Sequence, residues 1–278
     1  MSKPLLIIDG DSLTHRAYHA LPKTFRRAEG KPGNALLGFS NFLTRLWEME
    51  EPRAVLVGWD SLDHPTYRHE LFEGYQAGRV FDADLLEQLD LMPELVRAFG
   101  FAAAKAPGYE ADDFLAAAVK YEEEHDGTAV VVTSDRDSFQ LASKQTTVLQ
   151  PTRGVSELAR VGPEEVRERY GVEPEQVPDF IALRGDPSDK MPGAKGVGPK
   201  TAASLLGQYG TLEAMLEEGR FSTQAEELRM YRRMATLDAS APLPPLDDQT
   251  PSWAEASSFV RELGLNALAD RVASLAGS

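Results

Sequence analysis

The chain of 278 residues contains no cysteine. This absence excludes disulfide bonds, thiolate metal ligands and thiol nucleophiles, and it is compatible with a reducing cytoplasm. Long apolar runs are also missing, because the run at residues 5–8 is far too short for a signal peptide or a membrane span. Hydrophobic residues still make up 42% of the chain, which is enough for a large core. We therefore expect a folded cytoplasmic protein that does not enter membranes.

Basic residues are few, since 29 Lys and Arg stand against 44 Asp and Glu and the net charge is −15. This balance is unusual for a protein that binds nucleic acid through a broad basic surface. Nine of the acids fall in four short motifs, and the rest of the chain is only mildly acidic. Any contact with nucleic acid must then use local basic patches. The nine acids are Asp9, Asp60, Glu110, Asp112, Asp113, Asp135, Asp137, Asp186 and Asp189.

The first half of the sequence alternates between strand and helix patterns, which is typical of a parallel sheet flanked by helices. Short apolar runs that suit buried parallel strands lie at residues 5–8, 54–57 and 129–132. Helical patterns lie between them at residues 34–50, 83–99 and 111–124. The sequence therefore predicts an α/β core over residues 1–161, with a parallel or mixed central sheet and helices on both faces.

From residue 162 onward the predicted helices shorten and no strand pattern occurs. Proline in the first turn and glycine near the last turn recur as helix start and stop signals. The helices are predicted at residues 163–170, 174–183, 199–209, 223–237, 253–263 and 266–275. We predict a helical subdomain over residues 162–278, crossed by an extended proline-rich connection at 242–251.

Three of the predicted strands lead directly into an acid: Asp9, Asp60 and Asp135. Because the carboxyl ends of parallel strands share one edge of a sheet, these side chains should converge there. Like charges brought together are unfavourable unless they are protonated or held by cations. Hard divalent ions with oxygen ligands, Mg²⁺ or Mn²⁺, are the natural partners of such a group.

Two further acidic motifs extend this group. Glu110-Ala-Asp112-Asp113 opens a predicted helix, where Glu110 could also simply cap the helix and favour its dipole. Asp135-Arg-Asp137 places two acids two residues apart, and in a strand both would point to one face.

The fourth motif, Gly185-Asp186-Pro-Ser-Asp189, lies in the helical half of the chain. If it folds back onto the sheet edge, the four motifs supply enough ligands for two metal ions. Paired divalent ions are a common device of phosphodiester hydrolysis.

A hairpin pattern follows at residues 194–206. Gly196 and Gly198 permit a tight turn close to a ligand, and Pro199 can start a helix whose exposed N–H groups favour phosphate. Lys195 and Lys200 add positive charge. Such a hairpin contacts the nucleic-acid backbone and not the bases. The alternative is an ordinary connection between two helices.

Taken together, the motifs resemble the 5′-nuclease (flap endonuclease) family, which includes the N-terminal 5′→3′ exonuclease domain of bacterial DNA polymerase I. They occur in the family's order over most of residues 3–240, and no polymerase domain follows, so a stand-alone nuclease is expected. The matching stretches are residues 8–10, 16–22, 60, 67–72, 75, 110–113, 134–137 and 185–202.

The resemblance implies a PIN-like core with a helix-hairpin-helix at residues 185–206, and a role for each motif. Asp9, Asp60, Glu110, Asp112, Asp113 and Asp135 would form one metal site, completed by Asp137, Asp186 and Asp189 as a second. A mobile arch at residues 61–84 would bring the catalytic residues Arg68, Tyr75 and Arg79 to the scissile bond. The DNA-binding residues would be Arg16, Tyr18, Lys195, Gly196, Val197, Gly198, Lys200 and Thr201, with K⁺ at the hairpin.

The implied activity is that of a structure-specific 5′→3′ exonuclease and flap endonuclease, with 5′-phosphate and 3′-hydroxyl products. Its substrate would be DNA with a 5′ end or flap beside duplex, or an RNA–DNA primer, in bacterial replication and repair at the nucleoid. We expect a monomer with a DNA polymerase or ligase as partner. One departure is Tyr75-Gln76, where the family often has Tyr-Lys.

Two alternatives stay open at this point. The first is a protein of the same fold that binds flap DNA without cutting it. The second is a haloacid-dehalogenase-like phosphatase, because a strand followed by Asp9-Gly-Asp11 also opens that fold. Asp11 is more simply interpreted as the N-cap of a helix that begins near Ser12.

Overall fold

The structure is a computed structural model and describes residues 3–76, 81–153 and 157–277. At its centre lies a six-stranded sheet with the strand order β3-β2-β1-β4-β5-β6. The first five strands are parallel and β6 pairs antiparallel with β5. The prediction of a parallel or mixed sheet is confirmed in its mixed form. The strands are β1 (Leu5–Asp9), β2 (Ala54–Gly58), β3 (Ala102–Ala104), β4 (Ala129–Val132), β5 (Thr146–Arg153) and β6 (Glu157–Val161).

The central strand β1 is buried on both faces, so its side chains contribute to two separate cores. Leu5 and Ile7 pack in one core with α6 and the helices of the second half of the chain. Leu6 and Ile8 pack in the other core. The helices of the first half are α1 (Gly10–Ala20), α2 (Asn34–Glu50), α3 (Tyr67–Leu71), α4 (Ala83–Leu89), α5 (Met92–Ala98) and α6 (Ala111–Glu124).

The single helix predicted at residues 83–99 is wrong, because the structure divides it into α4 and α5. Pro93 lies in the first turn of α5, where its missing N–H and fixed φ are tolerated. In the interior of one long helix it would remove a hydrogen bond and clash with the preceding turn. The strands β3, β5 and β6 were not predicted, because β3 consists of only three alanines, which have low strand propensity, and polar residues interrupt β5 and β6.

The second half is helical, and its last two helices return to the sheet. Trp253 at the start of α12 packs edge-to-face on Phe99, and α12 and α13 complete the core behind Leu6 and Ile8. The division at residue 161 stays a prediction. None of the helices that the structure describes has the length and hydrophobicity needed to cross a membrane. The helices here are α7 (Pro163–Tyr170), α8 (Val177–Arg184), α9 (Pro199–Tyr209), α10 (Leu212–Glu217), α11 (Ala225–Ala235), α12 (Trp253–Glu262) and α13 (Asn266–Ser274).

The loop at residues 185–193 closes on itself through two glycines. Asp186 and Met191 exchange two backbone hydrogen bonds of 2.8 Å, and Gly185 and Gly193 have φ of +79° and +74°. A Cβ atom on Gly193 would lie 2.4 Å from the backbone nitrogen of Gly185. Glycine is therefore required by both the backbone conformation and the close approach, and this contact fixes where Asp186 and Asp189 lie.

Replacing Gly193 with alanine should destabilise the protein by about 2–4 kcal/mol, because strain at positive φ adds to a backbone clash. Gly207 offers a matched control inside α9, where a Cβ meets nothing within 4 Å. Gly207→Ala should stabilise by about 0.5–1 kcal/mol through helix propensity. Urea unfolding of both variants measures the two values. An equal effect of the two substitutions would contradict the close contact.

Candidate active site

A cleft of about 680 Å³ lies at the carboxyl edge of the sheet. Its wall is built from the ends of β1, β2 and β4, the start of α6 and the loop at residues 185–193. Eight of the nine predicted acids line it, so acids from five segments that are far apart in sequence meet in one place. These acids are Asp9, Asp60, Glu110, Asp112, Asp135, Asp137, Asp186 and Asp189.

Asp9 links the two central strands at the floor of the cleft. Its Oδ1 accepts a hydrogen bond of 2.9 Å from the backbone N–H of Ser12, and its Oδ2 accepts one of 2.7 Å from the hydroxyl of Thr133. The Thr133 oxygen in turn accepts the N–H of Asp135 at 3.0 Å. Burial raises the pKa of Asp9 to about 7, and the charges of Asp60 and Asp135 add to this rise.

The interpretation of Asp11 as a helix N-cap is wrong. Asp9 is the N-cap of α1, and Asp11 lies in the first turn of that helix. The Oδ2 of Asp11 accepts the backbone N–H of Asp60 at 2.7 Å, and the Oδ1 of Asp60 accepts the N–H of Ala111 at 2.8 Å. Asp11 therefore joins the cleft and orders the residue next to it. Burial, with the charge of Asp60, raises the pKa of Asp11 well above its usual range.

Arg68 lies beside the acids at the start of α6, and its side chain is 2% exposed. Its guanidinium donates to Glu110 at 3.1 Å and to Asp113 at 3.0 and 2.9 Å, while its Nε donates to the carbonyl of Met234. The family resemblance implied that this arginine lies at the scissile bond. In the structure it lines the cleft, but its donors are taken up by carboxylates and a carbonyl.

Asp113 is the one predicted acid that does not line the cleft. It is fully buried, and it forms a capping box with Glu110 at the start of α6. Both of its oxygens accept hydrogen bonds, from Arg68 and from the backbone N–H groups of Glu110 and Asp238. Its carboxylate thus faces Arg68 and the helix start.

Glu110 also receives hydrogen bonds from the arch segment. The hydroxyls of Tyr75 and Thr66 donate to its two oxygens at 2.9 and 3.1 Å. Gln76, in a left-handed conformation with φ of +49°, donates its amide to the Tyr75 oxygen at 2.9 Å. Burial raises the pKa of Glu110 to about 7, although Arg68 opposes this rise. The predicted catalytic residue Arg79 lies outside the described residues.

The prediction that Asp135 and Asp137 share the face of a strand is wrong. β4 ends at Val132, and Asp137 begins a 3₁₀ turn at residues 137–141. The Oδ1 of Asp135 accepts the N–H of Asp137 at 2.9 Å, which turns the chain back into the cleft. Burial raises the pKa of Asp137 well above its usual range, with contributions from Asp135, Asp186 and Asp189. Asp137, Asp186 and Asp189 are called the second group below, and the other acids of the cleft the first group.

The donors of the cleft fit hard divalent ions, although as placed no three acidic or histidine side chains of the described chain are close enough to hold one ion. All the ligands are oxygens, as Mg²⁺ and Mn²⁺ prefer. The Oδ1 of Asp112 is buried without a hydrogen-bond partner. Burial also raises the pKa of Asp112, with the charge of Arg68 opposing the rise, and a bound cation would lower this pKa.

The predicted DNA-binding residues divide into two sets. The hairpin residues lie on the surface, and Gly196 uses a φ of +79° to make the turn before α9. Arg16 instead donates to Ser134 and to the carbonyl of Pro151 at the rim of the sheet. Tyr18 is only 1% exposed, and its hydroxyl donates to Asp82 at 2.7 Å. The exposed hairpin residues are Lys195, Gly196, Gly198, Lys200 and Thr201, with Val197 half-buried.

Sequence reasoning missed several residues of the cleft. Thr133 and Thr66 orient Asp9 and Glu110, yet single threonines carry no distinctive pattern. Arg136 and Arg184 line the cleft beside the second group. Both arginines could have been predicted from the sequence. Arg136 stands next to an acid of a recognised motif, and Arg184 stands two residues before one.

Comparison with known proteins agrees with this architecture. Residues 4–171 match the family model described as "5'-3' exonuclease, N-terminal resolvase-like domain", and residues 172–256 match "5'-3' exonuclease, C-terminal SAM fold". The chain belongs to the 5′-3′ exonuclease family. The resemblance noted in the sequence is thereby confirmed, and the protein is a nuclease of this family.

Among the relatives of this exonuclease-family protein is DNA polymerase I of Mycobacterium tuberculosis, 42% identical over 219 residues. Thermostable DNA polymerase I of Thermus thermophilus is 38% identical over 250 residues. The matches cover 78% and 86% of this chain, but only 24% and 29% of the relatives. The chain therefore spans about a quarter of the length of these polymerases.

Solved structures share the fold of this exonuclease-family protein at low identity. The T5 5′-exonuclease with bound divalent metal ions (zinc) has a TM-score of 0.69 at 19% identity and covers 98% of both chains. The catalytic core of Rad2 in complex with a DNA substrate has a TM-score of 0.60 at 15% identity, covering 98% of this chain and 92% of the other.

The raised pKa values predict how stability depends on pH. Between pH 4 and 7 the folded protein keeps protons on Asp9 and Glu110 that the unfolded chain has released. The free energy of unfolding of the metal-free protein should therefore fall as the pH rises through this range.

Asp9→Asn removes the share of Asp9 in this pH dependence. At pH 8 it should stabilise the metal-free protein by about 2–4 kcal/mol, and at pH 4 it should change little. Urea unfolding at both pH values in a chelator measures the difference. An equal change at both pH values would contradict the raised pKa.

Proposed function

We propose that this protein is a structure-specific 5′→3′ exonuclease and flap endonuclease that cleaves phosphodiester bonds with two divalent ions, Mg²⁺ or Mn²⁺. The observation that carries the proposal is the convergence of eight carboxylates, from five separate segments, in one cleft of a chain of this family. The T5 5′-exonuclease, which has the same fold, has been seen with divalent metal ions. Metal binding by a protein of this fold supports the divalent-ion requirement proposed here.

The residues would act as two groups. The first ion would be held by Asp9, Asp60, Glu110, Asp112 and Asp135, and the second by Asp137, Asp186 and Asp189. When bound, the ions supply activation of a water molecule and stabilisation of the departing 3′-oxygen, which gives 5′-phosphate and 3′-hydroxyl products.

Asp113 and Arg68 would serve the first group without contacting the substrate. Asp113 has no free oxygen, so we assign it to holding Arg68 and the start of α6. Arg68 would offset the charge of the first group and keep Glu110 in place. Tyr75, whose hydroxyl donates to Glu110, would orient the same carboxylate from the arch.

The substrate would be DNA with a 5′ end or flap beside duplex, including RNA–DNA primers. The exposed hairpin before α9 would hold the duplex backbone, with K⁺ among its carbonyls and Arg16 towards the 5′ strand. The Rad2 core, which shares the fold, has been described in complex with DNA. The related DNA polymerases I support a role in bacterial replication and repair. We further propose that the protein acts beside a polymerase or ligase, in the cytoplasm and as a monomer.

Of the two alternatives, the phosphatase has no support in the structure. Asp11 accepts the N–H of Asp60 and so is oriented towards the neighbouring strand end, where the metal group lies. One observation supports the other alternative, a protein that binds flap DNA without cutting it: Gln76 stands where the family often has a lysine. The first experiment therefore measures binding and cleavage separately.

The test uses a 5′-flap duplex labelled at each end in turn, with Mg²⁺, Mn²⁺ or a chelator. We expect cleavage near the junction that requires a divalent ion. Asp135→Ala should reduce its rate by at least about 100-fold, since a metal ligand is lost. Asp270→Ala removes an exposed acid outside the cleft and is the matched control. Binding by fluorescence anisotropy should persist in both variants.

Three other outcomes are informative. Binding without cleavage by any metal would indicate a structure-specific binding protein, and Gln76→Lys would then be tested for recovery of cutting. Cleavage that the Asp135→Ala variant retains would place the active site elsewhere. Neither binding nor cleavage would overturn the proposal.

The hairpin yields a second prediction. Gly198 has a φ of −97°, and a Cβ there meets nothing within 4 Å, so Gly198→Ala should fold normally. The added methyl group would stand where a phosphate approaches the N–H groups of α9. We expect KM for flap DNA to rise about tenfold, roughly 1.4 kcal/mol, with little change in kcat. Gly207→Ala, on the same helix, is the control, and equal KM values for the two variants would contradict a hairpin contact.

A further inference from the structure

The cleft poses an electrostatic problem for its proposed substrate. Its lining carries the eight predicted carboxylates and Asp11, and a nucleic-acid strand brings one negative charge with every phosphate. Bound divalent ions would offset part of the carboxylate charge but not that of the neighbouring phosphates. Within the described lining the arginines are Arg68, Arg136 and Arg184. The guanidinium donors of Arg68 already form hydrogen bonds with Glu110, Asp113 and a backbone carbonyl.

Arg184, the last residue of α8, retains unused donors. Its guanidinium lies over the ring of Phe180, 5.4 Å from the ring centre, which fixes it on one wall of the cleft. Its contact with Asp186 is a loose 3.6 Å. Its Nε is buried and has no hydrogen-bond partner. A buried donor without an acceptor is unfavourable, and a phosphate oxygen would satisfy it.

Arg136 stands on the same wall, between Asp135 and Asp137, at the start of the 3₁₀ turn. It lines the cleft, its side chain is exposed, and no hydrogen-bond or ion-pair partner is found for it in the described part of the chain.

Aromatic packing joins the two segments that carry these arginines. The ring of Tyr170 stacks on Phe180 of α8, the helix that ends at Arg184, with ring centres 5.1 Å apart. The same ring tilts against Phe139, 5.7 Å away, in the 3₁₀ turn that follows Arg136. Both arginines therefore belong to segments that pack on one side chain, and both line the cleft.

We propose that Arg136 and Arg184 form a phosphate-binding wall that holds the phosphodiester next to the one that is cleaved, on the side of Asp137, Asp186 and Asp189. This inference rests on the proposed nuclease function. Guanidinium groups suit the task, because they stay charged and bind phosphate oxygens in pairs. Arg184 holds Asp186 only loosely, so it can turn towards a phosphate without breaking a short ion pair.

A purely structural role would look different. If Arg184 served only as the counter-ion of Asp186, its loss would disturb the second carboxylate group and lower the rate at saturating substrate. A phosphate contact instead lowers affinity, and it does so in proportion to salt, since each contact releases counterions. The dependence of KM on salt separates the two roles.

The experiment measures kcat and KM for the 5′-flap duplex with Mg²⁺ over a series of sodium chloride concentrations. For Arg136→Ala and for Arg184→Ala we expect KM to rise about tenfold at low salt, as for a charge-assisted hydrogen bond. The slope of log KM against log salt should fall by about 1 for each variant. Arg184→Lys, which keeps the charge, should keep most of the slope.

Arg167→Ala, an exposed arginine of α7 outside the cleft, is the matched control and should keep the wild-type slope. Thermal unfolding of each variant verifies folding, and if Arg184→Ala unfolds, the slopes of Arg136→Ala and Arg184→Lys decide. A wild-type slope in Arg136→Ala, or lost kcat with unchanged KM, would overturn the inference. If the wild-type protein cleaves nothing, the proposed function itself has failed.

Discussion

The fold depends on one buried ion-pair network, the guanidinium of Arg68 among the carboxylates at the start of α6. Through this arginine, α3 is bound to Glu110 and Asp113 at the start of α6. The Nε of Arg68 also donates to the carbonyl of Met234 at the end of α11. Three segments that are remote in sequence thus meet on one side chain. Removing one partner of such a buried network is strongly destabilising, by about 3–5 kcal/mol, because the others are left uncompensated. Helix α3 is therefore anchored to the acids at the start of α6.

The acids of the cleft are held in a buried environment that is unfavourable for their charged form. Asp9, Asp11, Glu110, Asp112 and Asp137 all have a raised pKa, mainly through burial. Buried carboxylates are unfavourable in their charged form without a cation, and the same charge gives the cleft its affinity for cations. Perturbed pKa values of this kind cluster at functional sites. The hydroxyls of Thr133 and Thr66 and the N–H groups of the helix starts orient the acids. Arg68 opposes the rise in pKa at Glu110 and Asp112, and a bound cation would oppose it further.

Much of this site could be predicted from the sequence, where local rules determine the outcome. The convergence of Asp9, Asp60 and Asp135 follows from parallel strands alone, and α2 and α6 begin and end where their apolar periodicity indicates. The errors arose where two local patterns competed. Asp9 and Asp11 are both suitable N-cap residues for α1. The point at which β1 ends determines that Asp9 takes this position. The acid spacing at 135–137 fits a strand as well as the 3₁₀ turn that the structure has.

Other features depend on contacts that no local pattern encodes. The burial of Tyr18 results from its packing below Asp82, and the enclosure of Arg68 requires α6 and α11 to be in place. In both cases a polar side chain predicted to lie near the substrate instead forms hydrogen bonds with residues more than forty positions away in the sequence. Sequence motifs identify which residues take part in a site, but long-range packing decides which of them remain open to a ligand.

The return of α12 and α13 to the sheet has a consequence for the order of folding. β1 is made first, and its Leu6 and Ile8 belong to a core that also contains Val260, Leu268 and Val272 from the last two helices. During synthesis, with the N-terminal segments emerging first, this face of the sheet stays incompletely covered until α13 has emerged. All the acids of the cleft have been made well before then. The nascent chain would thus hold a complete set of ligands on a sheet whose second face still exposes apolar surface, a stage at which it needs protection from aggregation.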